Sequence, residues 1–302
     1  MENLRNFTPS PSHKVLVTGG AGHVGSGLIR KLVELGYRDV TSIDNYSNGR
    51  ECNHVDGCNY ISADTREVFD IFPKNDFDVI FHFGEFARVE QSFSCLDEVF
   101  QSNYLGTLAM IKFAMAGRCK FIYSCSSAIN SMNDPDLIHS PYVISKKSNR
   151  DLINTYFKLG KLRGAVVYFS NVYGGNELGT GANATVVAKF IRAKLNKERV
   201  EISSPGTQTR KFTDIGDLIR GVLLVYQFGE GDNYFIASKR SVSIVELAEM
   251  IGVEYRIVPS GPGNRTESSI DHKRMEALGW TTQTDIEDYI KNLGLVDLAM
   301  EQ

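Results

Sequence analysis

The sequence has no apolar run long enough to span a bilayer, so no membrane segment is expected. Its opening stretch, MENLRNFTPSPSHK, lacks the apolar core of a secretory signal and reads as a polar lead-in. The five cysteines, at 52, 58, 95, 119 and 125, form no CxxC pair. Their odd number and scattered spacing exclude a disulfide scaffold or a zinc site and point to cytoplasmic thiols. The six histidines lack metal-ligand spacing, so no metal is expected. Excess positive charge is also missing. The 33 Lys and Arg are outnumbered by 36 Asp and Glu, which leaves no broad basic surface for nucleic acid. A local basic pocket for an anionic ligand stays open. There is no G-x-S-x-G elbow, and no P-loop lysine follows the glycines, so a serine hydrolase and a P-loop kinase fit poorly.

What is present begins at residue 14. KVLVT (14–18) reads as a buried strand. Gly19, Gly20, Gly22 and Gly25 follow at once. Val24, Leu28, Ile29, Leu32 and Leu35 then recur at helical spacing until Gly36 stops the helix. Glycines between a strand and a helix permit a tight turn, a close backbone approach to a phosphate, and close helix packing. The helix N-terminus offers its unpaired N–H groups to a pyrophosphate. A second strand, DVTSID, ends at Asp44, about twenty positions beyond the loop, where a carboxylate accepts from an adenosine ribose. It would repel a 2′-phosphate and so favours NAD over NADP, although nearby Arg50 weakens that preference. Asp64, after the short strand NYISA, is either an adenine-side ligand or a solvent-facing loop residue.

Further strands read at 77–83, 120–125 and 164–170, with helical patterns at 92–117 and 143–160 between them. This alternation implies an α/β fold with a parallel sheet covered on both faces. Within it, Tyr142-Val-Ile-Ser-Lys146 follows Pro141, a residue suited to a helix start. The i,i+4 spacing puts phenol and ammonium on one helix face. A nearby cation favours the phenolate, and a tyrosinate can take a hydroxyl proton as hydride leaves the same carbon. Ser124, Ser126 and Ser127 sit at the carboxyl end of a strand, where one hydroxyl could orient the reacting oxygen or simply cap a turn. Cys125, in the same strand, reads as a core thiol.

At these residues the chain resembles the extended short-chain dehydrogenase/reductase family, especially its nucleotide-sugar 4-epimerases and dehydratases. TGGAGHVG (18–25), IDNYSNGR (43–50), HF (82–83) and NYLGT (103–107) resemble the cofactor half. SPYVISK (140–146), FSNVYG (169–174), RKFTDIGD (210–217) and NRTESSIDHKRMEALGW (264–280) resemble the later landmarks. The resemblance implies a Rossmann doubly wound parallel sheet with a smaller mixed α/β substrate lobe. The NAD domain would take 14–173 and 212–237, and the nucleotide-sugar lobe 174–211 and 238–302, with helices near 183–195, 243–251 and 271–279. It implies tightly bound NAD held by Gly19, Gly22, His23, Val24, Gly25, Asp44, Asn45, Asp64, Phe83 and Lys146. Tyr142 would be the base, Lys146 its ribose-bound partner, and Ser126 the group polarising the reacting oxygen. Asn171, Arg210 and Arg265 would contact the sugar diphosphate. A homodimer built on the helices at 92–117 and 143–160 is implied as well.

Three departures from the family pattern matter. Dehydratase relatives carry Asp-Glu after the serine, whereas this chain has Ser127-Ala128, and neither residue can replace that acid–base pair. Glu85 stands near the expected nicotinamide edge, where relatives have a small neutral residue. It could pair with an internal arginine such as Arg88, bind sugar hydroxyls, or transfer a proton. The stretch between Ser126 and Tyr142 is short, which either opens the pocket or removes a substrate-facing loop. The expectation is NAD-dependent C4 epimerisation of a nucleotide sugar, UDP-linked sugars being the nearest pattern, by transient hydride transfer. The alternatives are a nucleotide-sugar reductase or dehydrogenase, a 4,6-dehydratase, and a noncatalytic NAD-binding regulatory protein.

Overall fold

The computed structural model describes residues 9–133, 138–177, 179, 181, 184–261 and 270–293. The chain opens with β1 (Lys14–Thr18), α1 (His23–Glu34), β2 (Asp39–Asp44), β3 (Cys58–Ser62), α2 (Val68–Ile71) and β4 (Val79–His82). It continues through α3 (Leu96–Val99), α4 (Thr107–Gly117), β5 (Lys120–Ser126), α5 (Pro141–Lys158) and β6 (Arg163–Phe169). After β7 (Val172–Tyr173) come α6 (Val186–Leu195), β8 (Val200–Ser203), β9 (Thr209–Arg210), β10 (Thr213–Asp214) and α7 (Ile215–Phe228). The last elements are β11 (Gly231–Ile236), β12 (Val242–Ser243), α8 (Ile244–Ile251), β13 (Tyr255–Val258), α9 (Lys273–Ala277) and α10 (Ile286–Asn292).

Seven strands form one sheet in the order β11-β6-β5-β4-β1-β2-β3, and every neighbouring pair is parallel. The strands are short and apolar because both faces are covered. On β5, Phe121, Tyr123 and Cys125 enter the core that contains Met110, Phe113 and Ile153 of α4 and α5. Ile122 enters the opposite core, with Leu28, Ile29 and Leu32 of α1 and Val222 and Val225 of α7. Burying each of these aliphatic side chains contributes about 1.5–3 kcal/mol. A third core lies outside the sheet. Phe190 of α6, Leu247 and Ile251 of α8, and Ile286 and Ile290 of α10 pack there with Tyr173 and Phe212.

The chain runs from β1 toward β2 on one side, while β4 and β5 lie on the other. Between β1 and β4 the connections diverge and leave a crevice at the strands' carboxyl ends, where such sheets bind ligands. The helical stretch expected over 92–117 is broken. A 3-10 turn (Gln91–Phe93), α3 and a π-helical turn (Phe100–Gly106) precede α4. Gly106 packs so closely on Thr65 that a side chain has no room there. Asn103 and Thr107, both fully buried, point inward from this wider turn. The sequence also gave no expectation of α10. No helix among the described residues is long and apolar enough to cross a membrane. The five cysteines are free, and no metal-holding group of His, Cys, Asp or Glu occurs among the described residues.

Candidate active site

One cavity of about 670 Å³ runs along the crevice and reaches the outer lobe. Gly19, Gly22, His23, Val24 and Gly25 line it at one end, with Asp44, Asn45 and Asp64. Phe83, Glu85, Arg88, Ser126, Tyr142 and Lys146 line its middle, and Asn171, Arg210, Phe212 and Ile244 its far side. Residues far apart in sequence are thus gathered by the strand ends. Arg265 lies outside the described residues.

The glycine loop is built by close backbone contact. Gly19 has φ +73°, and a Cβ on it would sit 2.8 Å from Gly84 in the loop after β4. A Cβ on Gly25 would collide with the Gly19 carbonyl oxygen. The N-cap of α1, Gly22, has no capping side chain, so the first-turn N–H groups remain available to a ligand. Asp44 is buried at the end of β2 and accepts from the backbone N–H of Ala21 and of Tyr46, each at 2.9 Å. This arrangement fits a dinucleotide, with pyrophosphate at the helix end and ribose at the carboxylate. Gly25→Ala should leave the protein with little bound NAD and destabilise it by about 1–3 kcal/mol through overpacking. Nucleotide release on denaturation and a urea melt measure the two effects.

Other predicted cofactor residues are committed partly to the protein itself. Asp64 caps the 3-10 turn Thr65–Glu67, pairs with Arg66 at 2.8 Å and accepts from Asn45 at 3.4 Å. Burial would raise its carboxyl, but the hydrogen bonds and charge of Arg66 hold it below the usual range. His23 donates from Nε2 to the Gly174 carbonyl at 2.5 Å, tying α1 to the loop after β7. Burial pushes its pKa down. Phe83 stacks edge-on against Phe169, with ring centroids 5.3 Å apart.

The reactive pair stands on α5. Ser140 caps that helix by accepting from the Val143 N–H at 3.2 Å, and Pro141 begins it. Tyr142 and Lys146 therefore project from one face toward the end of β5. Tyr142 lines the cavity beside Ser126, which favours its phenolate and whose hydroxyl accepts from the Ala128 N–H at 3.1 Å. Burial raises the Tyr142 pKa, and Lys146 and Ser126 only partly offset it. The sequence reading had the cation favour the phenolate; here burial of the phenol outweighs it.

The counter-ion of Lys146 is Glu85. The sequence offered an arginine partner or the sugar; the structure pairs the carboxylate with Lys146 instead. Glu85 and Lys146 expose only 1% and 4% of their side chains, and both line the cavity. Its Oε1 accepts from Thr107 at 2.9 Å, Tyr123 at 3.1 Å and Asn149 at 3.1 Å. Lys146 also donates to the Ser124 carbonyl at 2.6 Å. Burial lowers the Lys146 pKa, but Glu85 and Tyr142 more than reverse that. Arg88 faces Tyr142 and His23 electrostatically, and burial lowers its pKa.

A second layer, not anticipated as functional, supports this pair. Thr107 donates to Glu85, so its oxygen accepts from His82 Nε2 at 2.9 Å. His82 Nδ1 then accepts from Thr18 at 2.8 Å, and the Thr18 oxygen receives the N–H groups of Phe83 and Gly84. Asn103 binds the Phe86 backbone on both sides and donates to Ser145 at 2.9 Å. His82, Asn103 and Thr107 all lie in stretches that carried the family resemblance, which was the available signal. Burial pushes the His82 pKa down to about 4; the Glu85 charge opposes it and Lys146 adds to it. An unfolded chain takes up that proton near the ordinary 6.5, whereas the folded chain resists until about 4. Stability should therefore fall as pH drops through that window. Between pH 7 and 4.5 the wild type should lose about 2–3 kcal/mol more than His82→Gln in urea unfolding.

The remaining candidates face the outer lobe. Asn171 has φ +40° and donates to the Ser170 hydroxyl at 3.3 Å. Arg210, on β9, donates to the Thr209 carbonyl at 2.8 Å, and burial lowers its pKa. A guanidinium lining the cavity suits a diphosphate. Ser127 and Ala128, where an acid pair would stand, line the same cavity.

The model of the NAD dependent epimerase/dehydratase family matches residues 15–237. The putative UDP-glucose 4-epimerase of Methanocaldococcus jannaschii is 28% identical, covering 92% of this chain and 96% of its own. The UDP-N-acetyl-alpha-D-glucosaminuronate decarboxylase of Bacillus cytotoxicus is 28% identical over 79% of each chain. Among solved structures, UDP-glucose 4-epimerase with UDP-glucose from Thermotoga maritima superposes with a TM-score of 0.81 at 25% identity, covering 92% of this chain and 96% of that one.

Proposed function

The chain belongs to the NAD-dependent epimerase/dehydratase family, and from that premise we propose that it interconverts the C4 epimers of a nucleotide sugar. Its cofactor is NAD, and it acts on a nucleotide sugar. One observation carries epimerisation at C4. Tyr142 and Ser126 meet at the end of β5, while the two residues after Ser126 supply no acid–base pair to the cavity. The site can move a proton at the sugar O4, but those positions offer nothing to take a second proton and expel water.

Bound NAD supplies the hydride acceptor and donor at C4. Tyr142 handles the O4 proton and Ser126 orients that oxygen. Lys146, held by Glu85 and Ser124, has one N–H left for the nicotinamide ribose. Asp44 receives the adenosine ribose hydroxyls, and Arg210 with Asn171 holds the diphosphate. Residues 14–173 with 212–237 form the cofactor half in this reading, and 174–211 with 238–302 the sugar half. The keto sugar turns between them before reduction.

The test is a panel of nucleotide sugars, UDP-linked first, with products resolved by NMR. Epimer interconversion without net NAD consumption is the expected result. Stoichiometric use of external cofactor would replace this reading with a reductase or dehydrogenase, and a 4-keto-6-deoxy product with a dehydratase. Loss of carbon dioxide from a uronic acid substrate would replace it with a decarboxylase. No turnover by folded, NAD-loaded protein would indicate a binding module. The same reading includes a cytoplasmic homodimer. Leu96, Phe100, Leu105, Ile144 and Leu152 are exposed on α3, the π turn and α5, and suit contact with a second copy. Light scattering at twice the monomer mass tests that.

A further inference from the structure

We propose that His23 is a positioning residue that sets the outer lobe for the nucleotide end of the substrate, through a chain of hydrogen bonds from α1 to α6. The inference rests on the outer lobe receiving that nucleotide, but not on the reaction at C4.

The chain begins in the first turn of α1, at the glycine-loop end of the cavity. His23 is the first residue of that helix, and its Nε2 meets the Gly174 carbonyl at 2.5 Å. A carbonyl can only accept, so Nε2 carries the proton and donates it to the bond. Gly174 directly follows β7 and leads the chain into the outer lobe. Both polar groups of its backbone are engaged. The carbonyl accepts from His23, and the N–H donates to Glu177 Oε1 at 3.0 Å. The other oxygen of Glu177 accepts from the Thr185 hydroxyl. Thr185 is the N-cap of α6, and its oxygen receives the Ala188 N–H at 3.3 Å. One carboxylate thus holds the entry to the outer lobe against the start of α6. Ala184, Thr185, Val186 and Val187 line the cavity there. Further along α6, Phe190 packs in the third core with Leu247 and Ile251 of α8.

These bonds are in series. A displacement at His23 passes through Gly174 and Glu177 to the start of α6, and so to the cavity wall. The helix turn that faces the cofactor pyrophosphate therefore also sets the wall that the substrate meets. Removing any one bond frees that wall to shift. One hydrogen bond contributes about threefold to tenfold in an equilibrium. Breaking a second bond of the same chain adds little, because the wall is already released. Two independent contacts would instead multiply their effects.

The experiment titrates the NAD-saturated protein with UDP, GDP and dTDP and follows the tightest of them by calorimetry. His23→Phe keeps a ring but has no donor, and should weaken that binding by about threefold to tenfold. His23→Gln returns an N–H donor at similar reach and should restore it. Thr185→Val should weaken binding by a similar factor, whereas Thr185→Ser, which keeps the hydroxyl, should not. Thr185 itself lines the cavity, so the double variant separates a direct contact from the chain. His23→Phe with Thr185→Val should bind about as well as the weaker single variant. An unchanged affinity in either His23→Phe or Thr185→Val would overturn the proposal, so failure of one variant to fold leaves the other to decide. So would a His23→Gln as weak as His23→Phe, or a double variant whose loss is the product of the two single losses. Each of these results would leave the nucleotide-sugar reading standing. A wild type that binds none of the three diphosphates would overturn that reading, and this proposal with it.

Discussion

Turnover should fall by about 10²–10⁴-fold in Tyr142→Phe, the range a positioned proton-transfer group contributes. The substitution removes one hydroxyl and keeps the ring, which packs in the core with Val143 and Ala128. The fold should therefore survive. NAD content should also survive, because the glycine loop and Asp44 reach the cofactor from the other side of the crevice. Rates from NMR of sugar interconversion, with nucleotide released on denaturation as the control, measure both. Near-normal turnover would reject Tyr142 as the essential group. Loss of both turnover and NAD would mean that the ring, rather than the hydroxyl, organises the pocket.

The second large effect is on stability. Lys146→Met should cost about 3–5 kcal/mol, because it strands a buried carboxylate without its counter-ion. The cost arises less from the lost attraction than from the charge left behind at Glu85, which is 1% exposed. Glu85→Gln combined with Lys146→Met should then recover much of the loss, since two neutral groups replace the pair. Urea unfolding of both single variants and the double closes the cycle. Equal destabilisation by Lys146→Met and the double variant would show that the pair's charge does not govern stability. The result bears on function as well. A lysine needed only for the cofactor ribose would tolerate removal far better.

These two predictions concern residues that differ in how much the sequence could reveal. Tyr142 and Lys146 are four residues apart, and helical geometry alone puts them on one face. The glycine loop is equally local, because strand, turn and helix are consecutive and each leaves its own periodic signal. Asp44 is one strand further on, in parallel register beside β1. The helical stretch over 92–117 was legible as helix but not as a broken one. Its π turn depends on Gly106 meeting Thr65, some forty positions away.

Glu85 marks the limit. Its presence was visible as an anomaly, and ion pairing was among its readings, but Arg88, three residues on, was the partner in view. The structure chose Lys146, because β4 and β5 are neighbours and α5 packs across them. That choice is made by sheet order and helix packing, which short-range spacing does not encode. The sequence by itself determined the strand–glycine–helix loop, the tyrosine–lysine pair and the missing acid residues, since each is a local pattern. Only the tertiary structure decided what the lysine's charge does, because its counter-ion arrives from 61 residues away.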